Sequence, residues 1–201
     1  MTGSIDFIFD FASPNAYLAH KVLPAIAKRT GATINYKPCL LGGIFKATGN
    51  QAPMLAFASI PAKLAYERLE FNRFIARYGL DTFTFNPHFP VNSLILMRGA
   101  MVAEEEGRLM EYIEAGLYHM WEAPKKMDDA DVAAAALNES GFGGASIVER
   151  TQEPAIKARL ADYTRAAVDR GVFGIPTFFV GDEMFFGKER LDQVEEAAGT
   201  G

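Results

Sequence analysis

The sequence has a single cysteine, Cys39, and only 3 histidines in 201 residues. One cysteine excludes an intramolecular disulfide, so a secreted fold held together by disulfides is not expected. The histidines, His20, His88 and His119, are far apart and lack metal-ligand spacing, so we expect no metal site. No segment is apolar enough to span a bilayer, and no basic leader opens the chain. These absences predict a cytoplasmic protein without a membrane partner.

Positive charge is also scarce. The chain has 20 lysines and arginines against 25 aspartates and glutamates, which gives a formal net charge of -5. This balance disfavours a nucleic-acid partner but leaves room for a small anion at a local positive site. Apolar residues make up 49% and charged residues 22% of the sequence. That composition and length predict one globular domain with a large core, or one domain that carries an insertion.

The N-terminal stretch predicts a strand that leads directly into a helix. From Ile5 to Phe11 apolar residues occupy every second position, the pattern of a strand with one apolar face. Ser13 followed by Pro14 is typical of a helix start, with a hydroxyl at the N-cap and a proline in the first turn. The Ser13 hydroxyl is therefore expected at the positive end of a helix, a position that favours an anion.

Two further patterns predict the rest of a small sheet. A helix over about Pro14–Arg29 precedes a strand at 33–37, and a β-α-β unit of this length implies parallel strands. Near the other end, apolar runs at 174–180 and 183–186 flank Gly181-Asp182. Glycine in the first central position predicts a type II′ hairpin turn.

The middle of the chain, residues 40–171, shows helical periodicity and no convincing strand. We therefore predict an inserted helical subdomain over 40–171 and a discontinuous α/β domain formed by 1–39 and 172–201. Apolar positions at helical spacing occur over 64–78, 94–120, 128–137 and 156–167.

Five segments carry a resemblance to a known family. They are Asp10–Pro14, Leu41–Asn50, Ile60–Lys63 with Tyr66, Gly171–Pro176 and Phe186–Leu191. Together they resemble the 2-hydroxychromene-2-carboxylate isomerases and kappa-class glutathione transferases, in the DsbA-like branch of the thioredoxin fold. The resemblance covers nearly the whole chain. It implies an α/β thioredoxin fold with a large all-helical insertion, and it is compatible with a homodimer.

The resemblance also gives the strand-to-helix junction a role. Disulfide oxidoreductases of this fold carry Cys-x-x-Cys there, whereas this chain has Ser13, Pro14, Asn15 and Ala16. Without sulfur, dithiol chemistry is excluded at the junction. The resemblance implies that Ser13 is catalytic and holds the thiol of bound glutathione, because its hydroxyl and the helix N-terminus favour a thiolate. From the residues alone, Ser13 as a plain helix cap is the alternative.

Further glutathione contacts are implied at Asn50, Ile175, Pro176, Lys188, Glu189 and Arg190. A cis Ile175–Pro176 bond would present the Ile175 backbone to the tripeptide, and Glu189 would bind its ammonium group. Lys188 or Arg190 would bind the γ-glutamyl carboxylate. Each of these residues also has a purely structural alternative: Asn50 as a turn residue, Pro176 as the first residue of a strand, and Glu189 as an acidic helix cap.

Some positions depart from the family pattern or lie outside it. Position 15 is Asn where many relatives have Tyr, and Glu189 replaces the usual Asp, so its carboxylate lies on a longer stem. Lys46, Lys63 and Arg98 are further candidates to meet a substrate carboxylate.

The implied activity is a glutathione-dependent cis-trans isomerisation of a 2-hydroxychromene-2-carboxylate-like aromatic acid in arene catabolism. The thiolate would add to a conjugated double bond, the resulting single bond would rotate, and elimination would release glutathione. A kappa-class-like transferase that conjugates an electrophile is one alternative, and its product would retain glutathione. A non-catalytic binding module of thioredoxin fold is another, and it would have no affinity for glutathione.

Overall fold

A computed structural model describes residues 3–199, in which four strands form one sheet. The strands are β1 (Ser4–Phe9), β2 (Thr33–Pro38), β3 (Thr177–Val180) and β4 (Glu183–Phe186), in the spatial order β2-β1-β3-β4. β1 is parallel to β2, and β3 runs antiparallel to both β1 and β4. The predicted β-α-β unit and C-terminal hairpin are confirmed.

Helices make up most of the rest of the described chain. They are α1 (Pro14–Thr30), α2 (Leu41–Thr48), α3 (Pro53–Ala56), α4 (Pro61–Tyr78), α5 (Leu94–Glu105), α6 (Leu109–Trp121), α7 (Ala130–Glu139), α8 (Gly144–Arg150), α9 (Pro154–Asp169) and α10 (Leu191–Gly199). A 3-10 turn at Lys188–Arg190 leads into α10. Helices α2 to α9 all lie between β2 and β3 along the chain, where the sequence predicts helices only.

The central strand β1 is buried on both faces. Phe7 and Phe9 are at most 1% exposed, and Ile8, on the opposite face, is 2% exposed. The predicted strongly apolar face, which carries Ile5, Phe7 and Phe9, is confirmed, and Ile8 is buried on the other face as well. Helix α10 packs on β1 and β3, and α9 and α5 pack on β2.

Local sequence signals place the ends of α1 and the turn of the C-terminal hairpin. Ser13 is the N-cap of α1, and its hydroxyl accepts a hydrogen bond from the Ala16 N–H at 3.2 Å. α1 continues through Pro24 and ends at Gly31, whose φ of 72° is left-handed. In the hairpin, Gly181 has φ 59° while no described non-glycine residue has positive φ, the combination that a type II′ turn requires.

The predicted helical stripes are found, with one correction. The positions within 64–78 form the half-buried face of α4, and 128–137 and 156–167 lie in α7 and α9. The run over 94–120 is two helices rather than one, because Gly107 between α5 and α6 takes φ 70°.

A continuous core joins the sheet to the helices of the insertion. The buried Trp121 indole of α6 donates to the Phe11 carbonyl at 2.8 Å. Cys39, at the end of β2, contacts the Tyr163 carbonyl of α9 at 3.5 Å. The division into 1–39 with 172–201 and an inserted 40–171 therefore stays a prediction. No helix within the described range is long and apolar enough to cross a membrane.

The contact between α6 and the corner gives a stability prediction. A Cβ at Gly116 would lie 2.5 Å from the Phe11 ring, and Phe11 is fully buried. We expect Gly116→Ala to destabilise the protein by about 2 kcal/mol, the usual cost of overpacking. A Cβ at Gly42 in α2 meets nothing within 4 Å, so Gly42→Ala should be neutral or stabilising by up to about 1 kcal/mol. Urea unfolding followed by circular dichroism measures both, and equal stabilities would contradict the packing described.

Candidate active site

The corner between β1 and α1 places the Ser13 hydroxyl at the first turn of a helix. Ser13 is 4% exposed, and its hydroxyl donates to the Ile175 carbonyl at 3.4 Å. Hydroxyl-to-oxygen hydrogen bonds are normally about 2.7–2.8 Å long, so this bond is weak. The hydroxyl hydrogen is therefore held loosely and can turn toward a better acceptor.

The loop before β3 faces this hydroxyl. The Ile175–Pro176 peptide bond is cis, which confirms the conformation that the resemblance implies. The Ile175 N–H has no hydrogen-bond acceptor within residues 3–199, although Ile175 is only 7% exposed. The Gly187 N–H donates to the Pro176 carbonyl at 2.9 Å, which brings the turn at 188–190 next to the loop. The structure thus brings Ser13, Ile175 and Pro176 together.

Asn50 also lies against this loop. Its side-chain amide donates to the Phe173 carbonyl at 2.8 Å, and its oxygen accepts from the Gln51 N–H at 2.8 Å. The residue is exposed, so a ligand can still reach it. In the structure Asn50 links the end of α2 to the loop that precedes Ile175. Its contact with glutathione stays a prediction.

The two cations of the turn at 188–190 differ in how accessible they are. Lys188 is only 4% exposed, and its ammonium pairs with the neighbouring Glu189 carboxylate. The same ammonium lies 5.3 Å from the ring centre of Phe74 and 5.6 Å from that of Phe71, both in α4. Arg190 is exposed, and its guanidinium forms no hydrogen bond or ion pair with the described residues, although its backbone N–H donates to the Gly187 carbonyl at 3.1 Å. Of the two cations, Arg190 is the one available to an external carboxylate.

A cleft of about 300 Å³ opens between α4 and this turn. Lys188 and Glu189 line it on one side, and Arg73 and Arg77 line it on the other. The cleft therefore adjoins the predicted γ-glutamyl site and carries more basic than acidic side chains from α4.

Asp10 is a site residue that the sequence reasoning did not single out. Its carboxylate is fully buried and accepts from the Ala12 N–H and from the Leu41 N–H, each at 2.8 Å. It also accepts from Ser93, the N-cap of α5. Burial raises the pKa of Asp10, and these three donors act in the opposite direction. The sequence signal that could have identified Asp10 is an aspartate at the end of an apolar strand. Its hydrogen-bond partners Leu41 and Ser93 could not be predicted, because they are distant in sequence.

Asn15 supplies an unpaired polar atom beside Ser13. Its side-chain oxygen is buried and has no hydrogen-bond partner among the described residues. The Asn15 backbone N–H, in the first turn of α1, has none there either. Buried polar atoms are almost always paired, so a donor from a bound polar molecule suits this position.

The other candidates are placed elsewhere. Cys39 is 1% exposed and burial raises the pKa of its thiol to about 12, so it is a small core residue. The Lys63 ammonium lies 3.2 Å from the ring centre of Phe57. Arg98 lines a separate cavity against α9. No three potential metal ligands are grouped anywhere in the described part of the chain.

Fold and corner together define a thioredoxin-fold protein of the DsbA type that has lost its redox cysteines. The family model for a DsbA-like thioredoxin domain matches residues 4–199. The fold is also shared with the cytosolic disulfide reductase DsbM from Pseudomonas aeruginosa, solved with GSH. That structure is 15% identical with a TM-score of 0.61, and the match covers 98% of this chain and 96% of that one.

More similar relatives narrow the assignment. The chain is 30% identical to a 2-hydroxychromene-2-carboxylate isomerase from Sphingobium xenophagum over 97% of both chains. A solved 2-hydroxychromene-2-carboxylate isomerase superposes with a TM-score of 0.83 at 30% identity, covering 98% of this chain and 95% of that one. Glutathione S-transferase kappa 1 from Rattus norvegicus is 24% identical, covering 94% of this chain and 87% of the relative. The chain therefore belongs to the DsbA-like thioredoxin family, in the branch of the 2-hydroxychromene-2-carboxylate isomerases.

The Asp10 contacts give a second prediction. In Asp10→Asn the amide nitrogen would face one of the two backbone N–H donors and leave it unpaired. We expect a loss of about 2–3 kcal/mol in the free energy of unfolding. The control is Asp129→Asn, since Asp129 caps α7 by accepting from the Asp131 and Val132 N–H groups. Asparagine caps as well as aspartate, so this change should cost less than about 0.5 kcal/mol.

The same variant has an expected pH dependence. Because burial raises the pKa of Asp10 above its ordinary 3.8, the folded protein takes up this proton at a higher pH than the unfolded chain. The difference in the free energy of unfolding between the wild type and Asp10→Asn should therefore be largest at low pH, near the ordinary pKa of 3.8. It should decrease as the pH rises through the raised pKa of Asp10 in the folded protein. Unfolding measured at several pH values tests this, and a difference that grows with pH would contradict it.

Proposed function

We propose that this protein is a glutathione-dependent cis-trans isomerase of a 2-hydroxychromene-2-carboxylate-like aromatic acid. The observation that carries the proposal is the Ser13 hydroxyl. It caps α1 at the helix N-terminus, and its oxygen lies 3.4 Å from the Ile175 carbonyl oxygen, so that hydrogen bond is weak. The N–H of the same Ile175 has no acceptor among residues 3–199. The names of the relatives support the reaction type.

The unpaired groups around Ser13 support glutathione as the cofactor. A tripeptide offers a carbonyl to the Ile175 N–H and a γ-glutamyl carboxylate to the Arg190 guanidinium, two groups that have no partner among the described residues. The Glu189 carboxylate, whose side chain is 55% exposed, is available to an ammonium group. The kappa-class relatives and the DsbM structure with GSH support the same cofactor.

Bound glutathione would supply a thiol that becomes the nucleophile toward a conjugated double bond. The protein residues supply the conditions for this. Ser13 turns its hydroxyl from the Ile175 carbonyl to the sulfur, and the N-terminus of α1 adds its positive field. The Ile175 backbone and Arg190 orient the tripeptide, and Asp10 holds the corner in position. Ser13 itself forms no covalent bond.

An exposed aromatic pair supports an aromatic substrate. Phe173 and Phe186 are 38% and 43% exposed, and their ring centres are 4.6 Å apart. Phe173 lies two residues before Ile175, and Phe186 lies two residues before the turn at 188–190. The pair thus offers an apolar surface at the edge of the glutathione site.

Two alternatives remain, and analysis of the reaction product separates them from the isomerase. The kappa-class relatives favour a transferase that conjugates an electrophile, whose product would retain glutathione. A non-catalytic binding module would show neither glutathione affinity nor turnover. Geometric isomerisation of the aromatic acid with release of free glutathione is the result that supports the isomerase.

Cytoplasmic location and a homodimer complete the proposal. The single cysteine supports the cytoplasmic location, and the family resemblance supports the homodimer. The exposed apolar side chains of α3 and α4, among them Leu55 at 64% and Leu69 at 45%, are the surface that supports a second copy.

Replacement of Ser13 tests the proposed chemistry directly. Loss of the cap should cost about 1 kcal/mol, so Ser13→Ala should remain folded. In the wild type we expect the pKa of the bound glutathione thiol to fall by about 2 units, worth ~3 kcal/mol, and in Ser13→Ala we expect most of that shift to be lost. Ultraviolet titration of the thiolate measures this, and Cys39 does not interfere because its pKa is about 12. An unshifted thiol in the wild type would contradict the proposal.

Arg190 tests how the γ-glutamyl end is held. Arg190→Gln removes a cation without an internal partner, so the affinity for glutathione should fall about tenfold while stability is unchanged. Arg68→Gln is the matched control, because Arg68 is an exposed arginine of α4 outside the clefts described. Calorimetry with glutathione measures both variants. Equal affinities would show that Arg190 does not bind the ligand.

A further inference from the structure

A second cavity, of about 480 Å³, lies between α2, α5 and α9. None of the residues assigned to glutathione lines it. Its walls are apolar, with contributions from Leu40, Leu94, Leu160 and Val168. Its volume is within the range of about 300–1,000 Å³ that is typical of small-molecule sites.

Small residues keep this space open. Gly43 and Ala47 of α2 and Ala161 of α9 line the cavity where larger side chains would fill the gap between the helices. A Cβ at Gly43 would already approach the Thr164 side chain to 3.1 Å. The two helices therefore lie close together at Gly43.

The charges of the cavity are unusual for this protein. Arg98 of α5 and Lys157 of α9 are half-buried, and neither side chain forms a hydrogen bond or an ion pair with any described residue. Nearby arginines behave differently, since Arg150 pairs with Glu105 and Glu106. A half-buried guanidinium has five donors and ordinarily finds acceptors for them. At this position the acceptor is missing.

The acidic residue of the lining does not fill that role. Asp169 is exposed at the C-terminal end of α9 and forms no ion pair with a described residue. It lies 12 residues after Lys157, which corresponds to ~18 Å along the helix. Lys157 is thus well separated from the one carboxylate of the lining. The third cation there, Arg165, is exposed and pairs with Asp162, so it is not free in the way that Arg98 and Lys157 are.

We propose that this cavity binds a small monocarboxylate with an apolar body, at a site separate from the glutathione site. The carboxylate pairs with the Arg98 guanidinium, which can bind it in a bidentate manner, and Lys157 adds a second positive charge. The apolar body lies along Leu40, Leu160 and Val168. The positive charge of Arg98 would repel an apolar cation. A small inorganic anion would leave the apolar walls exposed to water.

The test uses the whole protein and 2-naphthoate as the probe, with neutral 2-naphthylmethanol for comparison. Calorimetry should detect binding of 2-naphthoate and at least tenfold weaker binding of the alcohol. Arg98→Gln should weaken 2-naphthoate at least tenfold, and Ala161→Phe should abolish its binding by filling the cavity. Arg68→Gln should leave it unchanged. Unfolding curves establish that each variant is folded, and if Ala161→Phe is not, Ala47→Phe on α2 replaces it.

The site is separate if saturating glutathione and the Ser13→Ala change both leave 2-naphthoate affinity unaltered. Binding of 2-naphthoate to the protein without glutathione does not depend on whether glutathione binds, so it is decided independently of the proposed isomerase function. The proposal is overturned if the wild type does not bind 2-naphthoate, if Arg98→Gln binds it as tightly as the wild type, or if glutathione competes with it.

Discussion

The buried Asp10 carboxylate is the interaction on which the arrangement of the site depends. It accepts from the backbone of Ala12 in the corner and from Leu41, the first residue of α2, and it also accepts from Ser93 at the start of α5. One carboxylate thus ties the strand that carries the active corner to two helices of the insertion. A buried carboxylate is costly unless it is fully hydrogen-bonded, so these contacts leave little freedom in how the parts can be placed.

On this rigid base the reactive group itself is loosely held. The Ser13 hydroxyl caps α1, while its hydrogen is directed at the Ile175 carbonyl over a long distance. The backbone around it is fixed by a strand, a helix start and the Pro176–Gly187 hydrogen bond. In a thioredoxin fold with cysteines, the helix N-terminus acidifies the protein's own thiol. With serine in that position, the same field is available to the thiol of a ligand.

The sequence predicted the parts of the structure that local chemistry determines. Ser13 with Pro14 marked the helix start, and Gly181 marked the turn between β3 and β4. The contacts of Asp10 were not predictable, because its partner Leu41 is 31 residues away and any pairing depends on the folded arrangement. For the same reason Lys188 looked available to a ligand, whereas α4 buries it beside Glu189. The break at Gly107 was missed because apolar periodicity continues across it.

The most direct test of this account is a crystal structure of the protein with reduced glutathione. The account predicts that the sulfur lies within hydrogen-bonding distance of the Ser13 Oγ, that Ser13 no longer contacts the Ile175 carbonyl, and that the Ile175 N–H pairs with the tripeptide. A tripeptide bound with its sulfur away from Ser13, and with the contact between Ser13 and Ile175 intact, would contradict it.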